Sequence, residues 1–340
     1  MITIPDLETC LLDILDEIEG TDIKLIVGGG FGIYLKKAIA EGTIRGPRIL
    51  SAGYVLSQTA GHGDVHFIPV DWVDARVSKR GTFLVMPLLC DGVPECIKAA
   101  RYALREGADF IKVMASGGVM SMIDRPEHTQ FTPAELRAIV EEARHVGTFV
   151  TAHCQGTEAM KNCITAGVKT IDHACYPDDE VIEMARTRKD LVFVSTLSIL
   201  WRIVTEGEAA GFPPWAVAKG TEASEDTIHN IAKLHRAGLT IASATDFTGS
   251  PLLKMGTNAM ELELLVEQCG FTPMDAIVAA TRNGAKACGL DAQLGTLEQG
   301  KLADIILVDG DPLNDITVLQ NTNKIQLVMQ EGTIAVNRLK

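Results

Sequence analysis

The sequence has little of what marks a secreted, membrane-spanning or nucleic-acid-binding protein. No apolar run approaches the ~18 residues of a membrane span. The opening MITIPDLETC is neither basic nor apolar enough for a secretory signal. The 8 cysteines sit at irregular spacings without one Cys-x-x-Cys pair, so reduced thiols in a cytoplasmic enzyme are expected. Lys and Arg are nowhere clustered, and the formal net charge is −13 with the acidic residues scattered. That excludes nucleic acid and anionic membrane as partners, since both need clustered cations, and leaves solubility as the meaning of the acidity.

What is present is core-forming. The chain has 340 residues, 46% of them hydrophobic, ample for one large core. Such a length suggests about two domains, although an α/β barrel runs to ~250 residues as one unit. Short apolar, β-branched runs predict strands at 24–27, 48–52, 110–114, 149–153, 170–173, 191–196 and 239–244. Helical stretches alternate with them at 93–105, 133–145, 158–166, 178–188 and 223–237, and a final helix pair covers 258–269 and 273–288. Strand followed by helix, repeated, is the pattern of right-handed parallel βα units that close into a barrel. Loops 53–82, 116–132 and 198–218 are long enough to shape a site.

From Gly295 the pattern changes to short strands at 303–308, 324–330 and 333–336. The expected architecture is therefore a TIM-like (β/α) barrel over residues 1–290 with a small C-terminal β appendage at 291–340. Seven barrel strands are one short of eight, and the chain opens in a helix-like segment at 5–19, so the first strand is expected to be missing. GGGFG after the 24–27 strand lacks the G-x-G-x-x-G spacing and a following acidic residue, and reads as a tight strand-to-helix turn.

A parallel barrel aims the C-terminal ends of its strands at one pocket. Four polar residues stand at such ends: Lys112 within the apolar FIKVM, His153 closing VTAH, His173 closing TIDH and Asp246 closing IASATD. Taken singly, a strand-end His is usually a satisfied polar residue, a Lys can snorkel to the rim, and an Asp can cap the next helix. Taken together they come from four strands and one end of one sheet. Imidazoles and carboxylates are what Zn²⁺ prefers, and a catalytic site keeps one position open beside three protein ligands.

The segments AIAEGTIRGPRILSAGYVLSQTAGHGD, GADFIKVMASGGVMS, IDHACYPDDE, TPMDAIVAATRNGAKACGL and LGTLEQGKLADIILVDGDPLNDI resemble the amidohydrolase superfamily. Within it they are similar to the imidazolonepropionase-like and prolidase-like metal-dependent hydrolases, from about Thr21 to Ile334. The resemblance implies a carboxylated lysine at Lys112, metal-binding histidines at His153 and His173, and a proton-shuttling aspartate at Asp246. The family's His-x-His pair has no counterpart: no His precedes His62, and no His-x-His occurs in the chain. Losing that pair removes most of one metal position and spares the other. A single divalent metal, Zn by preference, is thus expected on carboxylated Lys112, His153 and His173, with Asp246 as base or weak fourth ligand.

His62, in TAGHGD, matches a pocket-facing family position and is expected to touch substrate, as is Tyr176 after His173. His66 could replace a lost ligand, and a Cys175 thiolate could serve as a softer one. An incomplete barrel leaves strand edges to cover, which points to a homo-oligomer. The leading expectation is hydrolysis of a C–N bond in a small amide, cyclic amide or dipeptide-like compound. The alternatives are a lyase or isomerase on the same scaffold, and an inactive relative kept for binding or assembly. Trp72, Trp201, Phe212 and Trp215 in the loops lean towards an apolar or aromatic substrate.

Overall fold

The computed structural model describes residues 30–66, 69–77, 87–248 and 252–339. The expected strand at 24–27, the helix-like segment at 5–19 and the first two glycines of GGGFG lie outside the described residues. The chain is followed from α1 (Phe31–Ala40) through β1 (Val55–Ser57), α2 (Val70–Val73), β2 (Leu88–Leu89), α3 (Val93–Glu106) and β3 (Ile111–Met114). It continues with α4 (Pro133–His145), β4 (Val150–Cys154), α5 (Thr157–Ala166), β5 (Thr170–His173), α6 (Asp179–Arg186) and β6 (Val192–Ser195). Next come α7 (Leu197–Glu206), α8 (Pro214–Arg236), β7 (Ile241–Ser243), α9 (Met260–Cys269), α10 (Pro273–Ala280) and α11 (Arg282–Ala287). Three strands end it: β8 (Ile305–Val308), β9 (Ile325–Gln330) and β10 (Thr333–Asn337).

The first seven strands form one parallel sheet in the order β2-β1-β3-β4-β5-β6-β7, wrapped by helices in a TIM-barrel-like arrangement. The last three form a separate antiparallel sheet, β10-β9-β8. Register decides which side chains share a face. Lys112 pairs with Thr151 and Thr151 with Thr170, while Met114 pairs with His153 and His153 with Asp172. Side chains alternate along a strand, so these residues all project from one face. The other face carries Ile111, Val113, Val150, Ala152 and Ile171, all buried in the main hydrophobic core against the helices.

The helices meet that face through small and branched residues at helical spacing. On α3 the buried stripe is Cys96, Ala99, Ala100 and Ala103; on α4 it is Leu136, Ile139, Val140 and Ala143. Spacings of three and four keep each set on one side of its helix. A fully buried residue such as Leu136 contributes about 1.5–3 kcal/mol by leaving water. Thr132 starts α4 with a capping box to Glu135, and Pro133 occupies the first turn, where its missing N–H costs nothing.

Several expected elements shift. The run at 48–52 is not a sheet strand: it is joined to the chain before β3 through Asp109 N–H to Ser51 O, and the strand forms at Val55–Ser57 instead. Gly53, at φ 65, turns the chain between the two, with Tyr54 N bonded back to Ala52 O. Strand β2 was not among the expected strands; it is the short piece that follows Pro87 in the apolar run FLVMPLLC. Most of the expected loop at 198–218 is helix, because α7 begins at Leu197 and α8 begins at Pro214 rather than at 223. The helix expected at 273–288 is broken at Thr281, where φ is −108 and ψ −86. Among the described residues, no helix is long and apolar enough to cross a membrane.

The small sheet is tied to the larger unit by charge and by packing. Arg48 donates to Asp304 Oδ2 at 2.6 Å and to Glu331 Oε1 at 2.8 Å. Ile316, in the 3-10 turn Ile316–Gln320, is buried in the main core.

Candidate active site

Lys112, His153 and His173 come together at the C-terminal end of the sheet, with exposures of 7%, 5% and 6%. For His153 this follows from register. His173 is different, because strict alternation would send it to the helix face, one residue after Asp172. Its φ of 73 and the φ of 50 at Ala174 put two successive non-glycine residues in the left-handed region, which costs energy and redirects the chain. The His173 ring then lies 4.6 Å from that of His153, centroid to centroid, at 63°.

Both imidazoles are held in the neutral form. Burial is the first cause for each, and the Lys112 charge pushes the same way. For His173 the Asp246 carboxylate pulls in the opposite direction, without overcoming burial. His153 Nε2 sits 2.9 Å from Gly117 O. A carbonyl only accepts, so Nε2 carries the proton and Nδ1 keeps its lone pair. His173 Nδ1 contacts Thr196 Oγ1 at 2.7 Å, leaving Nε2 as the nitrogen not engaged by that bond. Thr196 is itself fixed by the chain around it. Glu261, fully buried, accepts from Ser195 Oγ at 2.5 Å, Leu197 N at 2.9 Å and Ser198 N at 2.7 Å.

Lys112 Nζ donates to Asp172 Oδ2. Asp172 also accepts from Thr170 Oγ1 at 2.9 Å. Burial pushes this carboxyl up, but the Lys112 charge and hydrogen bonds hold it below the usual carboxylate range. Asp172 was not singled out from sequence, although a charge inside an apolar strand was the signal that found Lys112.

His62 lies over this group, its ring stacked on His153 at 4.1 Å and 15°. Its Nδ1 is 2.8 Å from Ser121 Oγ and 3.7 Å from Asp124 Oδ2. Asp124 is buried, which raises its pKa, yet the nearby His62 ring and hydrogen bonds from Ser121 and the Gly118 N–H bring it down to about 2. A side chain at Gly118 would meet the imidazole: a Cβ there falls 2.3 Å from His62 Cε1. Sequence reading missed Ser121, Asp124 and Gly118 because loop residues carry no periodicity to read.

The other expected residues sit further out. Asp246 ends the β7 segment, exposed and at φ 59, near enough for its charge to act on His173. Tyr176 is half-buried against an apolar cluster of Val119, Ile199, Leu200, Ile203, Phe247 and Leu253, which joins helix α7 to the loops after β3 and β7. Cys175 is fully buried and burial pushes its thiol up to about 12, which disfavours the thiolate that a softer ligand would need. The His66 Nε2 is buried without a hydrogen-bond partner among the described residues.

Among the described residues, no three His, Cys, Asp or Glu side chains converge as a ligand set. Two neutral imidazoles converge as a pair, each with one ring nitrogen engaged by a protein oxygen and the other left over, and this suits a divalent metal. Lys112 lies beside this pair; a lysine binds a metal only with its charge removed, as in a carbamate, since an ammonium opposes a cation.

The Amidohydrolase family profile matches residues 25–335, and the chain belongs to that family. It is 39% identical over 312 residues to the ochratoxinase of Aspergillus niger, covering 90% of this chain and 63% of that protein. The chain therefore spans less than two thirds of the length of this relative. The crystal structure of the A. niger ochratoxinase superposes with a TM-score of 0.85 at 34% identity, over 97% of this chain and 75% of that one. A Xaa-Pro dipeptidase crystal structure with bound methionine gives 0.84 at 30% identity, over 98% and 80%.

Proposed function

We propose that the protein hydrolyses a C–N bond in a small amide, cyclic amide or dipeptide-like substrate, using one divalent metal, most simply Zn²⁺. The observation that carries this reading is the pair of buried neutral imidazoles, His153 and His173, beside Lys112 at the C-terminal end of a parallel sheet. The similarity to an ochratoxinase and to a Xaa-Pro dipeptidase supports it.

In this reading His153, through Nδ1, His173, through Nε2, and carboxylated Lys112 hold the metal. A divalent ion held by these residues would supply Lewis-acid chemistry, polarising an amide carbonyl and lowering the pKa of a bound water. Asp246 takes the proton from the attacking water and returns it to the leaving nitrogen as the C–N bond breaks. His62 and Tyr176 contact the substrate, and the apolar cluster beside Tyr176 receives its apolar part. The β7 edge, unpaired among the described residues, keeps a homo-oligomer within the proposal.

The test is elemental analysis of the full chain beside a His153→Ala/His173→Ala variant, followed by an amide and lactone screen. A single equivalent of metal, lost in the variant, and amide hydrolysis by the wild type are expected. No metal in either protein after incubation with excess Zn²⁺ would overturn the reading.

A further inference from the structure

The loop between β3 and α4 carries a hydrogen-bond network that the proposed chemistry does not use. At its centre is Asp124, 5% exposed. Its Oδ1 accepts from Gly118 N at 3.2 Å and from Ser121 Oγ, and its Oδ2 accepts from Gln130 Nε2 at 3.0 Å. Gln130 faces both ways, since its Oε1 accepts from the His62 backbone N–H at 2.9 Å. Lys219, reaching over from α8, donates to Gly118 O at 3.1 Å, Ser121 O at 2.6 Å and Asp124 O. An ammonium has three N–H donors, and these three carbonyls use them all.

Proton counting along this network is restrictive. An ionised carboxylate only accepts, so the single Ser121 hydroxyl hydrogen goes to Asp124. The other acceptor near that hydroxyl, Gly118 O, is 3.4 Å away. Ser121 Oγ must then receive its 2.8 Å contact with His62 as an acceptor, and His62 Nδ1 must carry the hydrogen. The ring is packed between Gly118 and the His153 ring in the orientation that puts Nδ1 beside Ser121 Oγ.

We propose that Asp124, acting through Ser121, is a positioning residue that holds His62 in the Nδ1–H tautomer. Nε2 is then the acceptor offered to a substrate N–H or O–H, and Lys219 and Gln130 keep the loop in the one arrangement that does this. The substrate side rests on the reading of His62 as a substrate contact; the tautomer does not.

The experiment uses the full chain labelled with ¹⁵N-histidine, read by two-bond ¹⁵N–¹H correlation at about pH 8, above the ordinary imidazole pKa. A His62→Gln variant assigns the signal. The wild type is expected to show His62 protonated at Nδ1. In Asp124→Ala the Ser121 hydroxyl loses its carboxylate acceptor and is free to turn to His62, and the pattern shifts towards Nε2–H. Ser121→Ala, which spares the carboxylate and its other contacts, is expected to lose the single-tautomer pattern. His145 and His235, outside the network, stay unchanged in both. A wild-type His62 protonated at Nε2, or a pattern that neither variant alters, would overturn the proposal. The spectra need no substrate, so a wild type without amide hydrolysis removes the hydrolase reading and leaves the tautomer result standing. With an active enzyme, Asp124→Ala is expected to lose about 10²-fold in kcat/KM with metal content unchanged; undiminished kcat/KM would overturn the substrate side of the proposal.

Discussion

Lys112 and Asp172 reach each other across an intervening strand, Nζ to Oδ2, although their strands β3 and β5 are not hydrogen-bonded neighbours. Both side chains are nearly sealed from water, at 9% and 11% exposure. A buried pair of this kind adds little net stability over an apolar pair, yet breaking it strands a charge at a cost of about 3–5 kcal/mol. Carboxylation of Lys112 would also replace the cation beside Asp172 with an anion.

In the metal-free, uncarboxylated protein, Lys112→Met and Asp172→Leu should therefore each destabilise by about 3–5 kcal/mol in urea titrations, while the double variant loses far less than their sum. Additive losses would mean that neither charge depends on the other.

Glu261 offers a second test, at a distance from the imidazoles. Removing its carboxylate in Glu261→Ala leaves Leu197 N and Ser198 N without their buried acceptor, at about 1–3 kcal/mol for each. Glu261→Gln keeps an acceptor oxygen and should cost less. The Ala variant should also disturb Thr196 and through it His173, seen as a changed histidine spectrum. Equal stability of the two variants would show that hydrogen bonding to this side chain is not what holds the β6–α7 turn.

Much of the fold could be read before any coordinates. Strand 170–173 and helix 133–145 fall where the apolar pattern puts them. Lys112, His153 and His173 were legible as polar residues ending apolar strands. Asp172 was not, because only the register Met114–His153–Asp172 puts it on the pocket face. The turn at His173 was equally hidden, since alternation would have sent either Asp172 or His173 to the pocket and the structure sends both. The Asp124 network lies in a loop, where spacing along the chain carries no information about which side chains meet.

Gly118 is a steric test of the same pocket. A methyl group there would sit 2.3 Å from His62 Cε1 and 2.7 Å from both ring nitrogens. Gly118→Ala should displace the imidazole from its stack on His153 and cost about 10²-fold in turnover of an amide that the wild type hydrolyses. A crystal structure of the variant with His62 in place would remove the basis for that expectation.

The last prediction concerns acid. The folded Asp124 carboxyl titrates at about 2 against an ordinary 3.8, so its folded-state pKa is depressed. A depressed carboxyl binds its proton more readily in the unfolded chain, and stability rises with pH through that interval. Its contribution is fully present above about 3.8 and is lost as pH falls towards 2. Asp124→Asn has no such group. The stability difference between wild type and Asp124→Asn, from urea titrations at a series of pH values, should shrink as pH falls from about 4 towards 2. A difference that stays constant through that window would show that Asp124 does not gain its partners as an anion, and that the hydrogen from Ser121 is not directed to it.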